Sequence, residues 1–181
     1  MRRKCILAVV LLCTLTAHGQ KFVVEKSSVS FFSKATIEDI TAANQSAASI
    51  FIVETGEVAF SISVKDFKFV KSLMQEHFNE KYMETEKFPK ATFQGKISGY
   101  DMTGSGPQVA KAAGKLTLHG VTKEIEAPGT IEISKNKIMM KSKFLVKLED
   151  YSIALPRLMW QNIAEQVEVS IDFTFKPYEN K

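Results

Sequence analysis

The segment 166–175 constrains the fold most, because apolar and polar side chains alternate through it without a break. The apolar members are Val167, Val169, Ile171, Phe173 and Phe175. Successive side chains of a β-strand point to opposite faces, so a period of two predicts a strand with one buried face and one solvated face.

The same alternation returns along most of the chain. The alternating segments are 57–65, 93–97, 109–118, 122–134 and 138–148. The motif Glu54-Thr55-Gly56 precedes the first of them and predicts a hairpin, whereas the small and polar residues of 38–46 predict a loop. Long strands in sequence order, without spare helices to cover a second face, predict a sheet that closes on itself. The predicted fold is therefore all-β, an antiparallel barrel of about eight strands.

One stretch, 73–93, departs from this alternation and predicts a single helix near residues 72–86. Its apolar residues recur four apart, at Met74, Phe78 and Tyr82. That spacing gives a helix one apolar face. Ser72 and Gln75 have the spacing of a capping box at the helix start. We expect this helix to plug or to cover one end of the barrel.

The first residues predict a secretory signal peptide, 1–19, followed by one domain, 20–181. A basic start is followed by an apolar run and by small residues suited to cleavage. Both cysteines, Cys5 and Cys13, lie in this segment, so the exported chain would depend on its core and not on disulfides. Without the segment, 21 basic residues face 20 acidic ones, and no basic stripe indicates nucleic acid. The expected location is periplasmic or secreted.

Few residues suggest chemistry. His77 lies near Glu76, Glu80 and Glu84, but transition-metal sites usually use several nitrogen or sulfur ligands. Alternation places His119 on the outer face at a turn. No serine lies in a Gly-x-Ser-x-Gly elbow. The sequence therefore predicts no metal, no cofactor and no enzyme activity, with an enzyme that uses His77 as the third hypothesis after a binding protein and a structural module.

The inner faces of the predicted strands are rich in Phe, Ile, Leu, Val and Met, and Gly95 and Gly114 remove bulk. These residues fit two interiors. A solid barrel would use them as ordinary core, whereas a hollow barrel would use them to bind a lipid-like chain.

Three groups of residues resemble the YceI-like family. The central motif comprises Glu76-His-Phe-Asn-Glu80, Tyr82-Met-Glu84, Lys87-Phe-Pro89 and Ala91-Thr-Phe93. The segment 114–122, GKLTLHGVT, is similar to the family's G-x-L-T-x-x-G-V-T hairpin. Glu149-Asp-Tyr-Ser-Ile153 and Ile163-Ala-Glu-Gln-Val167 resemble the segments that precede the family's last strand.

The resemblance implies an elongated, lipocalin-like barrel, exported and hollow, that sequesters or carries an amphipathic polyisoprenoid such as a prenylated quinone. Met74, Phe78 and Tyr82 would close one end, and a head group would lie near His77 or Trp160. The expected ligand contacts are Phe31, Phe60, Ile62, Phe67, Met74, His77, Phe78, Tyr82, Phe93, Leu116, Phe144, Trp160 and Phe173. The alternative is a solid-core structural or interaction module without a ligand. Transient membrane contact and a homodimer stay open.

Overall fold

The computed structural model describes residues 19–34, 39–154 and 164–179. Ten strands and one short α-helix form there, and their bounds follow in chain order. They are β1 (Lys21–Ser33), β2 (Ile40–Asn44), β3 (Ala48–Ile52), β4 (Glu57–Ser63), β5 (Lys68–Phe69), α1 (Ser72–His77), β6 (Lys90–Ser98), β7 (Gln108–Leu118), β8 (Val121–Ser134), β9 (Lys137–Lys147) and β10 (Gln166–Pro177). No helix within these ranges is long and apolar enough to cross a membrane.

Antiparallel pairing closes the sheet into a barrel. The hydrogen-bonded order is β10-β9-β8-β7-β6-β4-β3-β1, and β1 pairs back to β10 along most of its length. Strands β2 and β5 are additional: β2 pairs with the second half of β1, and β5 pairs with β2. The prediction of an all-β, lipocalin-like barrel of about eight strands is therefore confirmed.

The loop predicted for residues 38–46 is wrong, since Ile40–Asn44 forms β2. Apart from Ile40 this strand contains only Thr, Ala and Asn, and its buried positions are Ala42 and Asn44, so a single bulky apolar residue does not signal a strand. Asn44 is buried but fully engaged. Its Nδ2 donates to the Ser63 carbonyl at 2.8 Å, and its Oδ1 accepts from the Ser46 amide at 2.8 Å.

The helix begins where predicted but without the predicted cap. Ser72 is the first helical residue, and Lys71, which has no capping side-chain bond, takes the cap position. The Gln75 side chain instead accepts a long bond, 3.5 Å, from the Phe69 amide. A π-helical turn, Phe78–Tyr82, continues α1, so helical backbone ends at Tyr82 and not near residue 86.

The seam between β8 and β9 is paired over only part of its length. Pairing runs from Ser134 back to Gly129, opposite Ser142, and is absent from 121–128 in the described structure. Pro128, which has no N–H to donate, marks the change. The Ser142 hydroxyl donates to the Pro128 carbonyl at 2.7 Å and replaces one ladder bond.

Strands β6 and β7 approach each other closely where Gly95 pairs with Gly114. A Cβ on Gly114 would lie 2.3 Å from the Gln94 carbonyl oxygen and 2.5 Å from the Gly95 Cα. Both are backbone atoms, so a side chain here would have to separate the strands.

We therefore expect Gly114→Ala to lower the free energy of unfolding by about 1–3 kcal/mol, the usual cost of overpacking. Gly104→Ala is the control, because its Cβ would meet only the amide end of the Gln108 side chain. Its expected loss is below about 0.5 kcal/mol. Urea denaturation measures the unfolding free energy of both variants. Equal losses in the two would contradict a close approach of the strands at Gly114.

Candidate ligand-binding site

The barrel encloses a cavity of about 340 Å³ next to α1. Its wall is built from the inward faces of the strands, the segment before α1 and the helix itself. The lining residues are Val29, Ser30, Phe31, Ser33, Ile40, Phe60, Ile62, Val64, Phe67, Phe69, Met74, His77, Phe78, Tyr82, Met83, Ala91, Leu116, Leu118, Phe144, Val146, Leu148, Ile153, Val167, Val169 and Ile171. We call this half of the barrel the cavity end. Its volume lies in the range of about 300–1,000 Å³ that is typical of small-molecule sites.

The lining contains no Asp, Glu, Lys or Arg among the described residues. Its polar groups are Ser30, Ser33, His77 and Tyr82. Burial raises the pKa of the Tyr82 phenol, so this side chain stays neutral at physiological pH. A charge would lose its hydration in such a cavity without gaining a partner, whereas an apolar chain would be stabilised.

Four aromatic rings fix α1 against the barrel, and we call them the aromatic cluster: Phe31, Phe67, Phe69 and Phe78. Phe31 of β1 stacks on Phe78 at 5.5 Å and contacts Phe67 at 5.5 Å. Phe78 also lies 5.0 Å from Phe69. The cluster thus connects β1, the segment before α1 and the π-helical turn.

The π-helical turn explains how consecutive residues can line the same cavity. The Met83 amide donates to the Phe78 carbonyl at 2.9 Å, five residues back. This wider turn lets Met83 be buried in addition to Phe78 and Tyr82, which an α-helical spacing of four would place together.

A smaller cavity of about 80 Å³ lies deeper in the barrel. Four side chains line both spaces and separate them, and we call them the partition: Phe60, Leu116, Phe144 and Ile171. Phe60 stacks on Phe93 of the neighbouring strand at 5.6 Å and meets the edge of Phe173 at 6.1 Å.

Beyond the smaller cavity the barrel is packed, and we call this half the plug end. Phe51, Ile138 and Phe175 are fully buried there, and Ile131, which lines the smaller cavity, is 1% exposed. Phe51 and Phe175 lie 6.2 Å apart. The barrel is therefore hollow at the cavity end and solid at the plug end, so neither interior left open by the sequence describes all of it.

The structure brings most of the predicted ligand contacts together. Those that line the larger cavity are Phe31, Phe60, Ile62, Phe67, Met74, His77, Phe78, Tyr82, Leu116 and Phe144. Phe93 and Phe173 line the smaller cavity and not the larger one. Trp160 lies outside the described residues. Sequence reasoning missed Phe69 and Ile153, and also Val167, Val169 and Ile171, which the alternation in β10 could have identified.

The outward position predicted for His119 is wrong. His119 is 8% exposed, because the chain turns there with a positive φ of 49° and leaves the alternation of β7. Its Nδ1 donates to the Tyr151 carbonyl at 3.1 Å, and its Nε2 lies 3.1 Å from Glu84 Oε2. The Phe88 ring packs edge-on at 4.4 Å. His119 thus ties the end of the helical segment to the turn after β9.

The acidic residues of the helix and of the turn after it face outward. Glu76, Glu80, Glu84 and Glu86 line a groove on the outer side of the helical segment, with Lys65 bonded to Glu86 at 3.1 Å. Within the described part of the chain, no group of three or more His, Cys, Asp or Glu residues is placed to hold a metal.

Comparison with models of protein families identifies the family of this chain. Residues 16–175 match the model of the YceI-like domain. The chain belongs to the YceI-like family. Comparison with curated protein sequences returns no match.

Solved structures of YceI-like proteins share this fold. A polyisoprenoid-binding domain from Saccharophagus degradans, implicated in plant cell wall breakdown, aligns with a TM-score of 0.74 at 18% identity, over 87% of this chain and 98% of that one. Burkholderia cenocepacia BcnA aligns with a TM-score of 0.70 at 17% identity, over 82% and 95%. A Campylobacter jejuni YceI protein aligns with a TM-score of 0.57 at 18% identity, over 75% and 81%. At these identities the likeness shows the fold.

The two ends of the barrel should respond differently to the same substitution. Phe175→Ala at the plug end should cost about 3–5 kcal/mol of unfolding free energy, because it empties a filled site. Phe69→Ala, which enlarges an existing cavity, should cost about 1–2 kcal/mol. Urea denaturation compares the two, and equal losses would mean that both ends are packed alike.

The two histidines in the described part of the chain should differ in their contribution to stability. His119→Ala removes a buried hydrogen bond to Tyr151 and a partly buried one to Glu84, and it should lower the unfolding free energy by about 2–4 kcal/mol. His77→Ala serves as the control, with an expected loss below about 1 kcal/mol because His77 borders the cavity. Thermal and urea unfolding measure both variants. A His119→Ala variant as stable as the wild type would contradict the role of His119 in connecting the helical segment to the turn after β9.

Proposed function

We propose that this protein binds an amphipathic, polyisoprenoid-type lipid at the cavity end of the barrel and sequesters or carries it. The observation that carries the proposal is an uncharged cavity of about 340 Å³ lined by apolar side chains. The related domain from Saccharophagus degradans, described as polyisoprenoid-binding, supports this choice of ligand class.

The lining suits a branched, unsaturated chain. The aromatic cluster supplies flat rings, and Met74 and Met83 add flexible side chains that adapt to irregular shapes. Burying each CH₂ contributes about 0.8 kcal/mol, so even a short tail would bind without polar contacts.

The polar groups account for the amphipathic part of the ligand. His77 and Tyr82 lie on the helical segment and are half-buried, so they border the helix side of the cavity, whereas Ser33 is buried in its wall. A hydroxyl, pyrophosphate or quinone head group would meet donors and acceptors there, while the tail points towards the partition.

The cellular part of the proposal depends on the signal sequence in residues 1–19. Export would place the protein in the periplasm or outside the cell, where a hydrophobic chain needs a carrier to cross water. Prenylated quinones are one candidate cargo. Loading would then involve transient contact with a membrane, and a homodimer is compatible with the same role.

The test is lipid extraction from natively purified protein with organic solvent, followed by mass spectrometry and by uptake of a prenylated quinone into delipidated protein. We expect a bound isoprenoid and saturable uptake. Protein that repeatedly carries no lipid and takes up no quinone would end the proposal.

A matched pair of variants locates the uptake. Ala91 faces into the cavity, whereas Ala59 on the neighbouring strand β4 is exposed. Ala91→Phe should fill the cavity and weaken uptake by more than about tenfold, and Ala59→Phe should leave it unchanged. Circular dichroism checks that both variants fold. Equal uptake by the two would place the ligand elsewhere.

A further inference from the structure

We infer that a lipid chain enters and leaves the cavity through the side of the barrel, between β8 and β9. We call this place the side seam. It comprises residues 121–128 of β8 and 143–147 of β9, which no ladder hydrogen bond joins in the described structure. The inference rests on the proposed function and adds the route by which the ligand reaches its cavity.

The lining of the larger cavity is interrupted at the side seam. Strand β7 contributes Leu116 and Leu118 to this lining. Strand β9 contributes Phe144 and Val146. Strand β8 lies between these two strands in the sheet, yet none of its residues, all of which are described, lines the larger cavity. The cavity therefore borders the place where β8 and β9 are not joined.

Lys123 shows that the inner face of β8 is open to solvent at this seam. Residues directly opposite each other in an antiparallel pair point to the same face, and Lys123 lies opposite Leu116, which lines both cavities. The Lys123 side chain is nevertheless 46% exposed, and its Nζ lies 3.3 Å from Asp150 Oδ1 in the turn after β9. An inward side chain that reaches solvent and the end of the next strand lies across the side seam.

Only side-chain contacts hold the two ends of the seam. The Ser142 hydroxyl bonds to the Pro128 carbonyl at one end, and Lys123 pairs with Asp150 at the other. We call the second contact the latch. Both of its side chains are half exposed, and an exposed ion pair contributes little to stability. The seam can therefore widen beside the cavity when the latch opens, without the loss of a ladder bond.

The alternative route, past the helical segment, is held more firmly. Phe78 stacks on Phe31 at 5.5 Å, and Met83 is buried. Glu84 Oε2 lies 3.1 Å from His119 Nε2. Lifting the helical segment would expose apolar side chains to water, whereas opening the side seam separates one exposed ion pair.

The experiment measures rates as well as affinity. Delipidated protein is mixed in a stopped-flow instrument with ubiquinone-2, a prenylated quinone whose short tail keeps it soluble, and uptake is followed by quenching of intrinsic fluorescence. Release is followed after transfer of the loaded protein to phosphatidylcholine vesicles. A latch acts on entry and exit alike, so its loss should change both rates and leave Kd the same.

Variants of the latch test its role against a matched ion pair. Lys123→Ala should speed uptake and release by about threefold to fivefold each, with Kd changed by less than about twofold. Asp150→Asn should act in the same direction. The double variant Lys123→Asp with Asp150→Lys restores an ion pair and should return both rates towards the wild type. Lys111→Ala is the control, because it breaks an exposed pair with Glu126 on the paired β7–β8 side and should change neither rate.

A further variant separates the two routes. Glu84→Ala removes the contact between the helical segment and His119 and should leave both rates unchanged. Faster exchange in Glu84→Ala, with wild-type rates in Lys123→Ala, would mean entry past the helix and would overturn entry at the side seam. Circular dichroism checks that every variant folds.

The remaining outcomes distinguish this inference from the proposed function. Wild-type protein that takes up no ubiquinone-2 overturns both. Normal uptake with unchanged rates in Lys123→Ala and Asp150→Asn overturns the side seam and leaves the proposed function standing. A change of Kd with an unchanged uptake rate would make Lys123 a ligand contact and would overturn its role as a latch.

Discussion

The pairing of the first strand with the last is the constraint on which the rest of the structure depends. Phe31 of β1 lies opposite Val169 of β10, and Val29 lies opposite Ile171, so both sides of this seam line the cavity. These residues are about 140 positions apart in the chain. Closing so long a loop costs entropy before any contact repays it, and the cavity wall is complete only when the last strand has joined.

In the closed barrel, the inward side chains at each height along the barrel axis determine whether the interior is packed or hollow there. At the plug end, Phe51 and Phe175 are fully buried, and their rings lie 6.2 Å apart. At the cavity end the inward residues are also mostly apolar, but they line a cavity, and the helical segment forms part of its wall. Similar side chains thus form a packed core at one end of the barrel and line a cavity at the other.

The sequence predicted those features that follow from local periodicity. Strict alternation in β10 and β4 identified inward faces correctly, and the four-residue spacing of Met74, Phe78 and Tyr82 identified the helix. Two features depend on tertiary contacts and were not predictable in this way. β2 contains small residues and a buried Asn44, whose bonds come from distant Ser63 and neighbouring Ser46. His119 lies at a turn, where the strand period no longer determines direction.

The division of the interior into a larger and a smaller cavity could not be predicted from the sequence, although the alternation pattern identified the inward residues that form it. Phe60, Phe93 and Phe173 alternate inward like any core residues, and their pattern is the same whether the barrel is hollow or solid. What distinguishes them is their level along the barrel, which depends on strand register: Phe60 pairs with Phe93, and Phe93 pairs with Leu116. This register places the bulkiest side chains of three adjacent strands in one row. A shift by two residues would preserve every inward face and move that row, so the cavity's length is a property of register and not of composition.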